Sequence, residues 1–437
     1  MYIRTNAELF QETADCVIEE LEALDEWVIL ANGPVPSDVD DILHALNEHD
    51  KIRVLRCPVN LGIHGGTREC LDAAKADFLM VLDADDLLKR GSVATIREAI
   101  SADKDAQIFY TDEDLLIGGK FVHPFYRPDY DPAQIRAHSF IWHAVIFNRN
   151  TALELGTFTN GDAEYAQDWD NILRFELAGY HAVHIPEVVY HWRQHSHSLS
   201  NSGATFEGSI KSVRNSLNMI RLAQTDPDNF EVAKFPGDMG SPDFFIRRLP
   251  KNVPDIFGVR LGEGSMTGID FLTESDELLV SRGASGARAL ADRLASVTQD
   301  IVAMIGPGVD LVSENNILHG LRHLEMIDTA VAVCGPVARK NGSIVRGAGV
   351  YTSPTMIADP FVGQSFLHRG SEMLSMLKPV CVGAPNVDLI LVDRQFLVEA
   401  LDRAPETLPL RSLGIWMGLL AEQRGCIRYM NPCLGDS

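Results

Sequence analysis

The first half of the chain alternates apolar runs of strand length with segments of helical periodicity. The strand-like runs are MYIRT, EWVILAN, IRVLRCP, DFLMVLDAD and DAQIFYTDED. Helical patterns lie between them, over residues 8–24, 37–47, 66–75 and 91–101. Apolar runs that hardly alternate, each followed by a helix, are typical of a mostly parallel sheet covered on both faces. The sequence therefore predicts an α/β fold whose ligands bind where the strands end.

Acidic residues crowd the ends of two of these strands. Asp83, Asp85 and Asp86 follow the run FLMVL, and Asp112 and Asp114 lie at the end of the next strand. Carboxylates repel one another, so such a cluster indicates a positively charged partner. Mg²⁺ and Mn²⁺ prefer oxygen ligands and complete their shell with water and phosphate oxygens. The alternative is that these aspartates cap the following helix or are simply solvated. The acidic neighbours favour a metal ion.

The charge of the chain limits its partners. Its 437 residues include 61 acidic and 38 basic side chains, which gives a formal net charge of −23. Nucleic-acid binding needs a basic face, so we expect no nucleic-acid partner. A phosphorylated substrate would have to arrive with a metal ion. The seven cysteines form no CxxC pair, which is typical of reduced thiols in the cytosol and gives no zinc signal.

The sequence also indicates where in the cell the protein is expected. MYIRTNAELF lacks a basic region followed by an apolar stretch, so we expect no signal peptide. No uninterrupted apolar run approaches the roughly 18 to 20 residues of a transmembrane segment. We therefore expect a cytoplasmic protein, or one held peripherally at the inner face of the membrane.

A change in composition near residue 226 indicates a domain boundary. The segment TDPDNFEVAKFPGDMGSPDF is loop-like and follows a stretch with the pattern of a connecting helix. We expect a first domain over residues 1–202, a connecting helix and linker over residues 203–240, and a second domain over residues 241–437.

The second half weakly repeats the first. GGTRECLDAAK is similar to SGARALADRLA, and DFLMVLDAD is similar to DIVAMIGPGVD. In that register Gly306 and Gly308 replace Asp83 and Asp85. The pattern predicts a duplicated fold whose second copy has lost its carboxylates.

Three segments, in this order, carry a resemblance to a known family. They are NLGIHGGTRECLDAAKADFLMVLDADDLL, IFYTDEDLL and AQDWDNILRFELAGYHAVHIPEVVYHWRQHSHSLS. Together they resemble glycosyltransferase family 2, the GT-A enzymes that use nucleotide sugars, over residues 1–200. Their spacing is similar to that of bacterial enzymes that build cell-surface polysaccharides. The resemblance implies a Rossmann-like GT-A fold, and the second half resembles a degenerate copy of it.

The resemblance implies a metal site. Asp85 would bind Mn²⁺ or Mg²⁺, with Asp83 beside it near the nucleotide ribose. His191 would be a further metal ligand, with His195 as the second choice; alternation along a strand would instead make His191 a core histidine. The metal would neutralise the diphosphate of the donor and stabilise it as a leaving group.

Further side chains are implied in binding the substrates. Asn32 occupies the position where many relatives have an aspartate that reads the base, so the base preference could differ from uracil. Asp112 and Asp114 would hold hydroxyls of the donor sugar or acceptor, unless they are solvated loop residues. The nucleotide and its diphosphate would contact Thr5, Asn32, Asn60, Arg68, Arg193 and Ser198.

The resemblance makes Asp168, in AQDWDNILRF, the catalytic base. It would take the proton of an acceptor hydroxyl as that oxygen attacks the anomeric carbon, and inversion by direct displacement needs only one such base. The alternative is that Asp168 caps the helix that follows. Asp170 is expected to cap that helix or to bind Arg174.

We therefore expect an inverting, metal-dependent hexosyl- or deoxyhexosyltransferase that uses a nucleotide-diphosphate sugar and a glycan or lipid-linked acceptor. The alternative is a non-catalytic glycan-binding or scaffolding protein on a duplicated fold. Sugar-1-phosphate nucleotidyltransfer is less well supported, because YIRTNAELFQ is not a glycine-rich basic loop. In the second domain LRSLGIWMGLLAE has no aspartate to act as a base. That domain would present the acceptor, form a homo-oligomer or bind another assembly enzyme.

Overall fold

The computed structural model describes residues in both halves of the chain. They are residues 6–136, 139–163, 166–194, 203–223, 226–234, 244–248, 255–261, 274–276, 284–306, 309, 317, 320–321, 324, 329–338, 344–347, 350–353, 356–359, 362 and 380–430. The chain divides into two compact units. Unit 1 comprises Met1–Gln224 with Phe235–Phe244, and unit 2 comprises Thr225–Lys234 with Phe245–Ser437.

Helices and strands alternate through unit 1, as the sequence predicted. The helices are α1 (Ala7–Glu20), α2 (Ser37–Leu46), α3 (Gly62–Ala73), α4 (Ser92–Ala102), α5 (Pro132–Ile135), α6 (Arg149–Glu154), α7 (Gln167–Leu177) and α8 (Gly203–Leu222), with a 3-10 turn at Gly161–Ala163. The strands are β1 (Trp27–Asn32), β2 (Ile52–Cys57), β3 (Phe78–Met80), β4 (Leu87–Leu88), β5 (Ile108–Ile117), β6 (Lys120–Phe125), β7 (Val145–Asn148) and β8 (Val183–Arg193).

The strands of unit 1 form two sheets. β1 and β2 are a parallel pair, and the other six form a sheet in the order β3-β7-β5-β8-β4, with β6 paired to β5. β5 and β8 are parallel, whereas β7 is antiparallel to both of its neighbours. The predicted α/β fold is confirmed, but this sheet is mixed rather than mostly parallel. Parallel neighbours need a long crossover, usually a helix. Between β5 and β7 the chain instead forms the hairpin strand β6 and the four-residue helix α5.

Helix α1 contributes to two hydrophobic cores. Asn6 begins the helix, because its side chain accepts a hydrogen bond from the backbone N–H of Leu9 at 2.8 Å. Phe10 and Ala14 are buried among residues of β1, β2 and α2, and Val17 is buried among residues of β4, β5, β7 and β8. This helical spacing places all three apolar side chains on the inner side of the helix. Helix α1 therefore packs on both sheets.

Helix α8 is the longest described helix, with 20 residues. It packs against α7, and Asn215 Nδ2 donates to the carbonyl oxygen of Asp162 at 3.0 Å. The helix carries charged residues, including Lys211 and Arg214. Within the described part of the chain no helix combines the length and the apolar composition needed to cross a membrane.

The described part of the chain beyond α8 is rich in strands. The strands are β9 (Phe230–Lys234), β10 (Phe244–Arg248), β11 (Ile256–Arg260), β12 (Glu274–Asp276), β13 (Ile301–Ile305), β14 (Ala330–Cys334), β15 (Val337–Ala338), β16 (Ile344–Arg346), β17 (Val350–Ser353), β18 (Met356–Ala358), β19 (Val380–Cys381), β20 (Leu389–Asp393) and β21 (Ile427–Met430). The helices are α9 (Ala284–Leu294), α10 (Arg394–Asp402) and α11 (Leu413–Gln423), with 3-10 turns at Pro227–Asn229 and Leu410–Ser412. Seven strands form one sheet in the order β12-β11-β13-β20-β14-β21-β19.

Four strands of unit 2 repeat an arrangement found in unit 1. The order β13-β20-β14-β21 has the same strand directions as β3-β7-β5-β8: antiparallel, antiparallel and parallel. The helix after the second strand begins in the same way in both units. The backbone N–H of Arg149 donates to the backbone carbonyl oxygen of Asp77, and that of Arg394 donates to the backbone carbonyl oxygen of Asp300, both at 2.8 Å.

Helices α7 and α11 match as well. Each has 11 residues and is followed by a glycine in the left-handed region, Gly179 with φ of 82° and Gly425 with φ of 65°. Glycine adopts this conformation without the penalty that a Cβ would bring. Together with the strand pairing, these features align unit 2 with unit 1 near β13, near the start of α10 and along α11.

Candidate active site

A cavity of about 80 Å³ lies in unit 1, near the ends of β1 and β3 and the start of α7. Its polar lining includes Asn32, Asp83, His143, Gln167 and Asp168. Three of these, Asn32, Asp83 and Asp168, are predicted site residues. The structure therefore brings the predicted base-reading residue, a strand-end carboxylate and the predicted catalytic base to one place.

The turn after β3 is held by residues of β8. The hydroxyl of Tyr190 donates to Asp86 Oδ2 at 2.6 Å, and the backbone N–H of Arg193 donates to Asp86 Oδ1 at 2.7 Å. Arg193 Nε also donates to the carbonyl oxygen of Asp85 at 2.5 Å. Burial, and then the charge of Asp83, raises the pKa of Asp86 to about 7. Asp86 is therefore an internal anchor of the turn, whereas 57% of the Asp83 side chain is exposed.

His143 is oriented by a carboxylate. Its Nδ1 lies 3.2 Å from Glu113 Oε2, and its ring stacks on Tyr190 with the ring centroids 4.9 Å apart and 7° between the planes. Because an ionised carboxylate only accepts, Nδ1 is the donor. Its Nε2 lies 4.0 Å from Asp83 Oδ2. Burial alone would lower the pKa of His143, but Glu113, Asp83 and Asp168 together raise it to about 9.

Glu113 is the centre of a buried polar network. Besides His143 it accepts a hydrogen bond from Trp142 Nε1, and its Oε2 lies 3.3 Å from Arg127 Nη2. The Arg127 guanidinium lies 4.9 Å from the ring centroids of both Phe125 and Trp142, within cation–π range. Burial would raise the pKa of Glu113, but the bond from His143 and the charge of Arg127 lower it. Glu113 is therefore held as a carboxylate.

Asp168 lies in the first turn of α7. The residue before that helix, Ala166, provides no side-chain cap, and Asp168 lines the cavity. Burial raises the pKa of Asp168 to about 6, against the opposing charge of His143. A carboxylate whose pKa lies near the working pH is suited to general base catalysis.

Asp170, two residues further, has protein partners instead. Its carboxylate accepts hydrogen bonds from Arg174 Nε and from Asn160 Nδ2, each at 2.8 Å. The predicted pairing of Asp170 with Arg174 is confirmed. Of the two aspartates in this motif, Asp168 is the one that reaches the cavity.

The amide of Asn32 holds the start of α3. Its Nδ2 donates to the carbonyl oxygen of Gly62, and its Oδ1 accepts from the backbone N–H of Leu61, both at 2.9 Å. Gly66 makes room for this arrangement, since a Cβ at Gly66 would lie 2.6 Å from Asn32 Nδ2. Asn32 therefore shapes this wall of the cavity, and base recognition by it stays a prediction.

Asn60 and Arg68 are not among the residues that line the cavity. Asn60 Oδ1 accepts from the backbone N–H of Gly62 at 2.8 Å. Arg68 pairs with Asp72 at 3.1 Å and donates to the carbonyl oxygen of Thr157 at 3.2 Å. Both residues stabilise the region around α3, and their predicted contacts with a nucleotide stay predictions.

His191, Asp112 and Asp114 pair with other side chains of unit 1. His191 Nδ1 lies 2.6 Å from Asp114 Oδ1, and its ring stacks on Phe121 at 4.0 Å. Asp112 Oδ1 lies 2.9 Å from His184 Nε2. The structure does not bring these residues to the cavity lining. The remaining predicted contacts lie outside the described residues: Thr5, His195 and Ser198.

Among the residues that the structure describes, one group of side chains could hold a metal ion. Asp83, Asp86 and His143 each offer one ligand atom, and these atoms all lie within 4.8 Å of one another. Carboxylate oxygens with an imidazole nitrogen suit Mn²⁺ as well as other first-row ions. This group includes Asp83, which was predicted beside the metal, but it contains Asp86 and His143 where Asp85 and His191 were predicted as ligands.

Sequence reasoning missed His143 and Glu113. His143 lies in FIWHAVIF, where the apolar run signals a strand and hides a single polar residue. Glu113 lies between Asp112 and Asp114 in TDED, and neighbouring strand residues point to opposite faces. The alternation of strand residues between two faces was the only sequence signal that bears on these three acids. It indicates that the three acids cannot all share one site, but not which of them faces it.

Unit 2 lacks the side chains that correspond to Asp83, His143 and Asp168. From the matched contacts, Gly306 stands at the position of Asp83, and Asp388 at that of His143. A Cβ at Gly306 would overlap Asp388 Oδ1. Gly414 stands at the position of Asp168, and a Cβ there would overlap the carbonyl oxygen of Pro385. The space for both acidic side chains is therefore filled. Gly308 lies outside the described residues.

Comparison with known proteins gives a family for the amino-terminal part. Residues 2–144 match the family model described as Glycosyl transferase family 2. The O-antigen biosynthesis protein RfbC of Myxococcus xanthus is 29% identical over 188 residues, which cover 43% of this chain and 15% of that protein. The chain thus spans less than one sixth of the length of that curated relative.

Among solved structures the similarities are distant. S. aureus TarS in complex with UDP-GlcNAc has a TM-score of 0.40 and 12% identity, over 49% of this chain and 62% of that one. The mannosyltransferase PcManGT from Pyrobaculum calidifontis, in complex with GDP-Man and Mn²⁺, has a TM-score of 0.38 and 16% identity, over 51% and 62%.

Proposed function

Because the amino-terminal part of the chain belongs to glycosyltransferase family 2, we propose that unit 1 transfers a sugar, with inversion, from a nucleotide-diphosphate donor to a hydroxyl acceptor. The observation that carries this proposal is Asp168. It lines the same cavity as Asp83, and its pKa is raised by burial to about 6. One base opposite the leaving group is sufficient for direct displacement.

In the proposed reaction Asp168 accepts the proton of the acceptor hydroxyl. The acceptor oxygen forms a bond to the anomeric carbon while the bond from that carbon to the diphosphate oxygen breaks. The electron pair leaves with the nucleoside diphosphate. A metal ion, Mn²⁺ or Mg²⁺, would be held by Asp83 and Asp85, with Asp86 or His143 as neighbours. When bound, the ion would neutralise the negative charge of the diphosphate.

The named relative supports one class of acceptor. RfbC is described as an O-antigen biosynthesis protein, which supports an acceptor hydroxyl on a growing cell-surface glycan. We include Asn32 in the proposal as a residue beside the nucleotide. It lines the cavity, and its amide has a second N–H and a second lone pair besides those that bond Gly62 and Leu61.

The proposal assigns no transfer activity to unit 2. Gly306 and Gly414 stand where unit 1 has Asp83 and Asp168, and their surroundings leave no space for carboxylates. Unit 2 is then a degenerate copy of the glycosyltransferase domain that supports unit 1 in another way, such as presenting the acceptor.

The test is release of nucleoside diphosphate from a panel of UDP, GDP, dTDP and CDP sugars with Mn²⁺ and a glycan acceptor. We expect the wild-type protein to release one nucleoside diphosphate and Asp168→Asn to lose at least about 1,000-fold in kcat while binding the donor normally. Asp85→Ala should lose the dependence on Mn²⁺. Asp162→Asn, at a largely exposed aspartate outside the cavity lining, is the matched control. If the wild-type protein binds glycan without nucleotide or metal and releases nothing, the scaffolding alternative holds.

A further inference from the structure

The hydroxyl of Thr13 contacts the turn that carries the strand-end aspartates. Its Oγ1 lies 3.1 Å from the carbonyl oxygen of Ala84 and 2.9 Å from that of Asp86, on either side of Asp85. Thr13 is completely buried in α1, so no water competes for these contacts. A hydroxyl has one hydrogen, so the two carbonyl oxygens share it. Thr13 therefore ties the backbone on both sides of Asp85 to α1.

The carbonyl oxygen of Asp85 has a donor of its own. Arg193 Nε donates to it at 2.5 Å, and Arg193 Nη2 donates to Glu12 Oε2, also in α1, at 2.7 Å. The backbone N–H of Asp86 closes the turn on the carbonyl oxygen of Asp83 at 3.5 Å. Each backbone carbonyl from Asp83 to Asp86 thus faces a donor of the protein, and the path of the backbone is set before any ligand binds.

A local contact is the structural alternative for Thr13, because a threonine inside a helix can bond the carbonyl oxygen four residues before it. That contact exists, but at 3.2 Å from the carbonyl oxygen of Leu9 it is longer than both contacts with the turn. Thr95 in α4 shows the local contact at a partly exposed position, with its Oγ1 3.3 Å from the carbonyl oxygen of Gly91. Thr13 differs from Thr95 in its burial and in its contacts more than 70 residues away in sequence.

The aspartates of the turn need such support. Three carboxylates within four residues repel one another, and this repulsion would open a turn whose backbone was free. Asp86 is anchored by Tyr190, whereas 57% of the Asp83 side chain is exposed. Ligands that are held in place lose less freedom when an ion binds, and the groups that hold them affect metal affinity for that reason.

Resting on the proposed function, which assigns Mn²⁺ or Mg²⁺ to this turn, we propose that Thr13 is a positioning residue of the metal site. Its hydroxyl holds the carbonyl groups on both sides of Asp85 and so keeps the carboxylates of Asp83 and Asp85 in the orientation that binds the ion. Thr13 does not line the cavity of about 80 Å³, so it acts through the turn.

The test measures the dissociation constant of Mn²⁺, added alone to the full chain, from the electron paramagnetic resonance signal of the free ion. Thr13→Val keeps the shape of the side chain and removes the hydroxyl. We expect it to weaken Mn²⁺ binding by about 10- to 100-fold, as for other groups that hold a metal ligand. Thr13→Ser, which keeps the hydroxyl, should retain most of the affinity. Asp85→Ala identifies the site, because Mn²⁺ held elsewhere on this acidic protein would still bind to that variant.

The matched control is Thr157→Val. Thr157 is also completely buried, and its Oγ1 donates to the carbonyl oxygen of Ala152 at 3.0 Å. We expect both valine variants to unfold at a lower urea concentration than wild type, and only Thr13→Val to lose Mn²⁺ affinity. Equal Mn²⁺ affinities in the two valine variants would leave Thr13 with a purely structural role and overturn the inference. A loss in Thr13→Ser as large as that in Thr13→Val would overturn it as well.

Two results separate the inference from the proposed function. Release of nucleoside diphosphate by the wild-type protein, with unchanged Mn²⁺ affinity in Thr13→Val, refutes the inference alone. The expected Mn²⁺ affinities, without release from any UDP, GDP, dTDP or CDP sugar, refute the proposed transfer and leave the metal site with its positioning residue. A wild-type protein that binds no Mn²⁺ refutes the inference whether or not it releases nucleoside diphosphate.

Discussion

The hydroxyl of Tyr190 donates a hydrogen bond to Asp86 at 2.6 Å, although the two residues are 104 positions apart in the sequence. The same hydroxyl oxygen accepts a hydrogen bond from the backbone N–H of Asp83 at 3.2 Å. One phenol thus joins β8 to the turn that carries the strand-end aspartates. Tyr190 is completely buried, so no water replaces these contacts when the hydroxyl is removed.

Tyr190→Phe should therefore lower the free energy of unfolding by about 1–3 kcal/mol, since it leaves a buried carboxyl with one partner fewer. The measurement is urea denaturation of the full chain followed by tryptophan fluorescence. Tyr126→Phe is the control, because Tyr126 is 70% exposed and should change stability by less than about 0.5 kcal/mol. Equal midpoints for the two variants would show that the Tyr190 hydroxyl carries no stability.

The pKa of Asp86 makes stability depend on pH. Its pKa is raised from 3.8 to about 7, mainly by burial, so the folded protein keeps a proton that the unfolded chain has already lost. The folded state binds more protons in this window, so the contribution is complete below pH 3.8 and is lost as the pH rises towards 7.

In the variant Asp86→Asn the side chain at position 86 has no titratable proton. We expect the stability of this variant, relative to wild type, to increase steadily between about pH 4 and pH 7, the interval between the two pKa values. The measurement is the unfolding midpoint in EDTA at several pH values. Asp162→Asn, at a largely exposed aspartate, should give a curve parallel to wild type. A parallel curve for Asp86→Asn would contradict the raised pKa.

The fold could be predicted from sequence where apolar pattern alone decides it. The strand runs EWVILAN and IRVLRCP became β1 and β2, and the helical patterns between the strands became α1 to α4. Strand direction could not be predicted in the same way. The antiparallel position of β7 depends on the hairpin and loop that precede it, and their conformation is fixed by tertiary contacts such as those of Arg127 with Glu113 and Phe140.

The site could be predicted only in part, and for a related reason. Asp83 and Asp168 stand out because acidic residues at a strand end and at a helix start are conspicuous in sequence. His143 and Glu113 become partners only when β5 pairs with β7, in the register that places Tyr110 beside Val145. The His191 and Asp114 pair shows the converse, since two conspicuous residues satisfy each other 77 positions apart.

Gly66 is predicted to be essential for the cavity wall. A Cβ at this position would lie 2.6 Å from Asn32 Nδ2, which donates to Gly62. Gly66→Ala should displace Asn32, cost about 1–3 kcal/mol through overpacking and weaken donor binding. Calorimetry and thermal unfolding measure the two effects. Gly161→Ala, where a Cβ meets open space, should change neither; retained donor affinity in Gly66→Ala would remove Asn32 from the nucleotide site.

Gly414 provides the corresponding test in unit 2. It stands at the position of Asp168, and a Cβ there would overlap the carbonyl oxygen of Pro385, a backbone atom that cannot rotate away. Gly414→Ala should therefore destabilise unit 2 by about 1–3 kcal/mol, although alanine favours helices more than glycine does. Gln423→Ala, at an exposed position of the same helix, is the control and should change stability by less than about 0.5 kcal/mol.

The substitution Gly414→Asp tests whether unit 2 has space for a carboxylate at the position of Asp168. If the loss of an aspartate alone had silenced unit 2, restoring it would give a second transfer activity once Asp168→Asn has silenced unit 1. Because Pro385 and Asp388 fill the space in front of Gly414 and Gly306, we expect the double variant to release no nucleoside diphosphate and to unfold earlier than Asp168→Asn alone. Release of nucleoside diphosphate by the double variant, at normal stability, would show that unit 2 still has an open site and would contradict its assignment as a filled copy.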